Sequence, residues 1–199
     1  MYRVLSILTC LTFLFIGTPV FAKESKEKKA KDPQAMMETY QKLATPGEPH
    51  KQLASLAGTW ATHTKEWMEP GTPPTESTGT CEFKVLLDGR FVQQECSGQM
   101  MGQSFTGIGT HGYDNFTKKY ITTWIDSMGT SIFSMEGKAG ANDKTITLKG
   151  SHADPFEGVM QHRAVWKFPD ADTQIFEMYG SHGKGKEMKM MEITYTRKS

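Results

Sequence analysis

Cysteine is scarce in this sequence, and its spacing argues against one class of chemistry. The 199 residues contain three cysteines, Cys10, Cys81 and Cys96, and no two of them form a Cys-x-x-Cys pair. Because that spacing is typical of redox-active dithiols, its absence argues against a thiol–disulfide oxidoreductase. Since Cys10 lies in an apolar N-terminal segment, Cys81 and Cys96 are left as the pair that a disulfide could join.

An excess of charge of either sign is also lacking. The chain has 23 Lys and Arg residues against 22 Asp and Glu residues. Removal of residues 1–22, which contain Arg3 and no acidic residue, makes the two counts equal. A surface that binds nucleic acid needs many basic groups to neutralise phosphates, so the composition gives no electrostatic reason for such a role.

Long apolar runs are absent after residue 22, whereas the first 22 residues contain one. Arg3 precedes an apolar stretch from Val4 to Val20, and the segment closes with Ala22 before a burst of charge. This pattern predicts a secretory signal peptide that is cleaved after Ala22, since the apolar core is short for a membrane span. We therefore expect export to the periplasm or out of the cell, with no membrane span after cleavage.

The next segments predict a linker and two helices. Residues 23–31, KESKEKKAK, have no apolar side chain larger than alanine, which predicts a disordered charged linker. Asp32 is expected to cap a helix that begins at Pro33, and a second short helix follows from Glu48 to about Leu56. We expect these N-terminal helices, within residues 32–57, to pack at one end of the following domain. The apolar stripe of the first helix consists of Met36, Met37, Tyr40 and Leu43.

From Gly58 onward the apolar residues alternate with polar ones, and turn residues recur about every ten positions, which predicts many short antiparallel strands. The ten predicted strands are 58–68, 79–87, 90–98, 103–112, 118–127, 130–136, 144–150, 158–168, 173–180 and 187–197. Connections too short for a crossover helix imply an up-and-down order. Because an open sheet would leave two unprotected edges, residues 58–199 are predicted to close into a mainly β, lipocalin-like barrel of about ten strands.

A turn at Asp88-Gly89 predicts a disulfide within one hairpin. It places Cys81 directly opposite Cys96, at a separation that a disulfide permits. Either a two-residue turn or a four-residue loop from Leu87 to Arg90 retains this register. Closing a loop of about 15 residues is worth roughly 3 kcal/mol in the chain-entropy model, so a structural role for the disulfide is favoured.

Four segments together resemble one bacterial family. They are HKQLASLAGTW (50–60), LLDGRFV (86–92), GYDNFTKKYITTWIDSMGT (112–130) and EMKMMEITYTRK (187–198). Over about residues 34–198 the chain resembles the bacterial secreted domain-of-unknown-function family 1579. The resemblance implies a lipocalin-like barrel and no established activity.

Gly58-Thr59-Trp60 is similar to the Gly-x-Trp element that opens lipocalin-type barrels. That resemblance implies that the Trp60 indole closes one end of the barrel and that Arg197, from the last strand, lies across it. A cation–π contact of this kind is worth about 0.5–2 kcal/mol. Both residues, together with Gly58, are then structural.

Alternation assigns seven further side chains to the inner wall of the predicted barrel. They are Trp124, Asp126, Met160, His162, Trp166, Phe176 and Met178. Ten strands enclose more space than eight, and a lumen lined by aromatic and thioether groups predicts binding of a small hydrophobic or amphipathic molecule. A lumen filled by side chains or water is the alternative.

A haem or metal site is a second interpretation of the same residues. His162 with Met178 or Met190 could hold haem, and the late methionines near His182 are soft ligands for Cu(I). Strict alternation, however, separates Met191 from Met190, and this favours core filling. No metal site and no cofactor are therefore predicted.

Motifs of known enzymes are missing as well. The sequence has no Gly-x-Ser-x-Gly elbow, His-Glu-x-x-His pair, phosphate-binding glycine loop or calcium loop. This favours a binding protein over an enzyme. A hydrolase-type carboxylate pair of Asp126 and Glu192 inside the barrel is the enzymatic alternative. The sequence leaves the oligomeric state open.

Overall fold

The computed structural model describes residues 32–100, 102–156, 158–182 and 185–199. The predicted signal peptide and the predicted linker at 23–31 lie outside the described residues. Within those ranges, no helix is both long enough and apolar enough to cross a membrane.

Two helices precede the strands: α1, Pro33–Ala44, and α2, Glu48–Ala54. The Asp32 side chain caps α1 by accepting a hydrogen bond from the Gln34 amide at 3.0 Å, as the sequence predicts. Helix α2 starts after Gly47, whose amide donates to Nδ1 of the buried His50 at 3.0 Å.

The expectation that both helices pack at the barrel end is wrong for α1. This helix has no buried residue, and Met37 and Tyr40 of its apolar stripe are 59% and 63% exposed. Leu53 of α2 and Leu56 just after it are buried at the barrel end instead. Asn115 Nδ2 donates hydrogen bonds to the carbonyl oxygens of Leu43 and Thr45 at the C-terminal end of α1.

Ten strands form one closed antiparallel barrel, which confirms the predicted fold. They are β1 Gly58–Glu66, β2 Thr75–Leu86, β3 Phe91–Met100, β4 Gln103–Asp114, β5 Lys119–Asp126, β6 Phe133–Ala139, β7 Thr145–Asp154, β8 Gly158–Lys167, β9 Thr173–His182 and β10 Met188–Arg197. Each strand pairs with its neighbour in sequence, and β10 pairs with β1. Closure removes the sheet edges.

Two strands extend beyond glycines that were expected to mark their ends. β2 starts four residues before Gly79, and β7 continues four residues past Gly150. A Cβ at either glycine would strike the backbone of the adjacent strand. At these positions glycine therefore allows two neighbouring strands to approach closely, and it does not mark the end of a strand.

The β2–β3 hairpin has the predicted register. Cys81 pairs with Cys96, and a disulfide joins them with the Cα atoms 4.1 Å apart. Four residues, Leu87 to Arg90, connect the last strand pair, so the longer of the two predicted loops is present. Asp88 and Gly89 adopt φ values of 55° and 85°, a region that these two residue types tolerate well.

The barrel has one closed end and one open end. At the closed end, Trp60 is buried beneath α2, and its Nε1 donates to the Leu56 carbonyl oxygen at 2.8 Å. Phe83 and Trp166 continue this packing inward. The open end lies at the far end of β1, near Glu66, and leads into the lumen.

Candidate functional site

The lumen has two neighbouring compartments. The outer compartment, at the open end, has a volume of about 330 Å³, and the inner compartment, nearer the aromatic core, has about 110 Å³. The two compartments share the lining residues Trp124, Phe133, Met178, Met191, Ile193 and Tyr195. The two compartments therefore lie next to each other in the lumen.

Trp124 lies flat along the barrel wall because the neighbouring strand β4 carries glycines. A Cβ at Gly107 would overlap the indole, and one at Gly109 would lie 3.1 Å from it. Phe105 stacks on the same indole with ring centroids 6.4 Å apart and an interplanar angle of 16°. The glycines thus keep the lumen open beside a large aromatic side chain, and their alternation in β4 is a signal that the sequence analysis missed.

Asp126 is held at the open end by two hydrogen bonds. Its Oδ2 accepts from Trp124 Nε1 at 2.8 Å, and its Oδ1 accepts from the Met128 amide at 2.9 Å. Neither partner is charged, and the carboxylate faces the outer compartment.

All seven side chains that the sequence assigns to the inner wall lie on the inner side of the barrel. The outer compartment is lined by Trp124, Asp126, His162 and Met178, and the inner one by Trp124, Trp166, Phe176 and Met178. Met160 is buried, and its methyl group packs over Gly180 on β9.

His162 lies against a second histidine that the sequence analysis did not single out. Its Nε2 is 2.9 Å from His152 Nδ1, and the two rings are nearly parallel, with centroids 4.9 Å apart. Phe133 contacts both rings edge to face. His152 follows the same inward alternation on β7 as Leu148, which was the available signal.

A neutral polar network lies beside the inner compartment. His111 Nε2 is 2.9 Å from Gln94 Oε1, while Gln94 Nε2 donates to the Tyr195 hydroxyl at 3.2 Å and to Cys96 Sγ at 3.1 Å. The amide carbonyl oxygen therefore accepts from His111 Nε2–H, and Nδ1 becomes an acceptor. Within the described part of the chain, Nδ1 has no hydrogen-bond partner.

Burial fixes the charge state of this network. It lowers the pKa of His111 to about 4 and raises the pKa of Tyr195 to about 12. Both groups are consequently neutral at pH 7. None of the three polar residues of the network was assigned to the lumen wall from sequence, because each interrupts an otherwise apolar face.

The charged side chains that line the lumen are carboxylates. Glu66 and Asp126 face the outer compartment, and no lysine or arginine belongs to the described lining of either compartment. Burial raises the pKa of Glu66. The lumen is thus apolar and aromatic, with negative charge towards its open end.

The proposed carboxylate pair of Asp126 and Glu192 is wrong. Glu192 alternates with Met191 and Ile193, which line the lumen, so its side chain points to the outer face. There it accepts a hydrogen bond from Lys189 at 2.6 Å. The two carboxylates lie on opposite faces of the barrel wall, and the hydrolase interpretation has no site.

The predicted separation of the late methionines is also wrong, because β10 is irregular. The register shifts between Lys189 and Met191, which puts Met190 against Gly180 on the inner side while Met191 lines both compartments. A bulge breaks strict alternation in this way. In the described ranges, no group of three or more His, Cys, Asp or Glu side chains could hold a metal ion.

Comparison with known proteins supports the fold. A family model described as "Protein of unknown function (DUF1579)" matches residues 45–197. No curated protein matches the sequence.

Two solved structures resemble the chain. The crystal structure of Rv2717c from M. tuberculosis is 13% identical, with a TM-score of 0.54 over 77% of this chain and 100% of the other. The S-type phycobiliprotein lyase CPES from Guillardia theta is 9% identical, with a TM-score of 0.52 over 77% of this chain and 94% of the other. At such identities the likeness concerns the fold alone.

Proposed function

The chain belongs to the DUF1579 family of unknown function, and from that premise we propose that its barrel binds a small hydrophobic or amphipathic molecule in the lumen. The observation that carries this proposal is the outer compartment of about 330 Å³, which adjoins the inner one. Small-molecule sites have volumes of about 300–1,000 Å³ and mostly apolar linings with a few placed polar groups.

The lining suits a ligand with an apolar body. Phe105, Trp124 and Phe133 offer aromatic surface, and Met178 and Met191 offer flexible thioethers that adapt to irregular shapes. The hydroxyl of Tyr195 accepts from Gln94, which leaves its own hydrogen for a polar atom of the ligand.

We further propose that the protein works outside the cytoplasm after cleavage following Ala22. The Cys81–Cys96 disulfide is compatible with an oxidising compartment. Mass analysis of protein recovered from its own host checks this proposal, since the mature chain is expected to begin at Lys23. A chain that retains residues 1–22 in the cytoplasm would contradict it.

Ligand binding can be tested with a pair of tryptophan variants on β10. Ile193 faces the lumen, whereas Thr196 faces outward and is exposed. Native mass spectrometry of protein from its host is expected to show a bound small molecule. The affinity for a fluorescent apolar probe is expected to fall at least tenfold in Ile193→Trp and to be unchanged in Thr196→Trp. Circular dichroism is the folding control. No bound mass and no probe binding would refute the proposal.

A second candidate function is binding of Cu(I) or haem near His162. Met190 and Met160 both contact the space above Gly180, and Gly180 is the cross-strand partner of His162. With His152 beside it, this region combines imidazole and thioether groups, which are suitable ligands for Cu(I). Haem would require one of the same imidazoles as its axial ligand.

Titration distinguishes this candidate from a purely organic ligand. Anaerobic Cu(I) competition against a chelator is expected to show one tight site that weakens at least tenfold in His152→Phe and in Met190→Leu. The exposed His63→Ala variant serves as the control. Absence of stoichiometric Cu(I) binding, together with no Soret shift after haem addition, would remove both metal interpretations.

A further inference from the structure

Building on the proposed ligand-binding function, we propose that the preferred ligand is an organic cation with an apolar body, whose charged group lies near Glu66 and Asp126. Both carboxylates face the outer compartment, and no described lysine or arginine lines it. A carboxylate in a partly enclosed apolar site is stabilised by a positive charge close to it. The ligand is the group that can bring this charge into the lumen.

Glu66 has no counter-charge among the described residues. It lies at the end of β1, half-buried, and forms no ion pair with another described residue. Its cross-strand neighbours, Met191 and Thr75, are uncharged. Burial without a counter-charge is what raises its pKa, and a bound cation would reverse that shift.

Two cations on β8 and β10 form ion pairs on the outer face. Lys189 pairs with Glu177 at 2.8 Å and with Glu192 at 2.6 Å on the outer face of the barrel. Arg163 forms an ion pair with Glu187 and lies over the Tyr179 ring. These pairs keep positive charge on the outside and leave the lumen negative.

Aromatic rings favour the same ligand class. Trp124 stacks with Phe105 beside Asp126, and Phe133 lies across the same compartment. The faces of such rings attract cations, and tryptophan attracts them most strongly. An anionic head group, such as a fatty-acid carboxylate, would meet repulsion from Glu66 and Asp126 and gain nothing from the rings.

The inner compartment provides an independent observation. His111 lines it, is 7% exposed and has an acceptor nitrogen, Nδ1, with no partner in the described chain. A buried acceptor without a donor is costly, so a hydrogen-bond donor on the ligand would be favoured at this depth. From the open end to the core, the lumen therefore offers negative charge and an acceptor, which match a cationic or donor-bearing molecule.

Three probes of equal chain length test the inference on the full mature chain. They are octyltrimethylammonium, octanoate and 1-octanol, compared by isothermal titration at pH 8 and low ionic strength, where ordinary histidines are neutral. Octyltrimethylammonium is expected to bind at least tenfold more tightly than the other two. Because the preference is electrostatic, it is expected to shrink as salt is added.

Variants assign the preference to the two carboxylates. In Glu66→Gln combined with Asp126→Asn, the preference for octyltrimethylammonium over 1-octanol is expected to fall from tenfold to below threefold. The outward-facing Glu82→Gln is the matched control. The single variants and the salt dependence of the wild type provide the same test if the double variant misfolds.

The outcomes separate the two proposals. Equal binding of all three probes, or a preference for octanoate, overturns the cation inference and leaves ligand binding in the lumen standing. Binding of none of the probes counts against both. A cation preference that survives in the carboxylate variants overturns the assignment to Glu66 and Asp126.

Discussion

The guanidinium carbon of Arg197 lies 4.2 Å from the ring centroid of Trp60. The same side chain donates to the carbonyl oxygens of Ala57 at 2.7 Å and Ser55 at 2.9 Å. Arg197 therefore joins the last residue of β10 to the chain that leads from α2 into β1, and it covers the tryptophan that closes the barrel.

Replacing Arg197 with lysine is expected to lower the free energy of unfolding by about 1–3 kcal/mol. Lysine keeps the charge but loses the planar group that stacks on Trp60 and its fork of hydrogen bonds. Urea denaturation of Arg197→Lys against the exposed Lys138→Ala control measures the effect. Equal denaturation midpoints for Arg197→Lys and wild type would show that the stacking and forked hydrogen bonds of Arg197 contribute no stability.

Removing the disulfide is expected to cost about 3 kcal/mol, because Cys81 and Cys96 close a loop with a sequence separation of 15. The comparison is denaturation of the wild type with and without reductant. The Cys81→Ser and Cys96→Ser double variant should be as unstable as the reduced wild type and insensitive to reductant. Stability that is unchanged on reduction would contradict the structural role of the bond.

Much of the fold could be predicted from sequence, since its signals are local. Alternating short segments and short connections predict ten antiparallel strands, and the turn at Asp88-Gly89 predicts the Cys81–Cys96 register. The position of α1 could not be predicted in this way. The helix has an apolar stripe, but whether that stripe packs against the barrel depends on tertiary contacts. Leu53 and Leu56 are the residues buried at the barrel end.

The lumen was predictable only where strands are regular. Alternation correctly predicts that His162 and Trp166 on β8 point inward. The bulge in β10 brings Met190 to the inner side, and no residue pattern predicts that bulge. The network of Gln94, His111 and Tyr195 links the neighbouring strands β3 and β4 to β10, which is far away in sequence. Sequence spacing carries no information about such contacts, so they emerge only from the closed barrel.

The two helices are expected to differ sharply in their contribution to stability. Leu53 of α2 is 2% exposed and Met37 of α1 is 59% exposed. Leu53→Ala is expected to cost about 2–4 kcal/mol, because it leaves a cavity at the closed end. Met37→Ala should stay within about 0.5 kcal/mol of wild type in the same denaturation assay. A large loss in Met37→Ala would show that α1 packs against the barrel in solution.

Acidification is expected to destabilise the fold through protonation of His111. Its pKa is about 4 in the folded chain and 6.5 in the unfolded chain. Between these pH values the unfolded chain therefore binds a proton at this residue and the folded chain does not. Stability should therefore fall between pH 6.5 and pH 4, by up to about 3 kcal/mol. The His111→Gln variant should lose this part of the pH dependence, and the exposed His63→Gln should keep it. NMR titration that places the His111 pKa near 6.5 would contradict the burial argument.

Glu177 is expected to control the pH dependence of stability in a second, more acidic range. Burial opposes its charged form, but hydrogen bonds and charges from Lys167 at 2.7 Å and Lys189 at 2.8 Å outweigh this and lower its pKa to about 2. Because the folded pKa is depressed from 4.5, the carboxylate contributes stability that is fully present above pH 4.5 and is lost as pH falls towards 2.

Glu177→Gln should therefore be less stable than wild type by about 2–3 kcal/mol at pH 7, and the difference should disappear near pH 2. The exposed Glu136, which pairs with Lys119, provides the control: Glu136→Gln should cost no more than about 1 kcal/mol. Denaturation series between pH 2 and pH 7 distinguish the two. If the difference in free energy of unfolding between wild type and Glu177→Gln does not change with pH, it arises from packing. In that case the two lysines do not hold the carboxylate in its charged form.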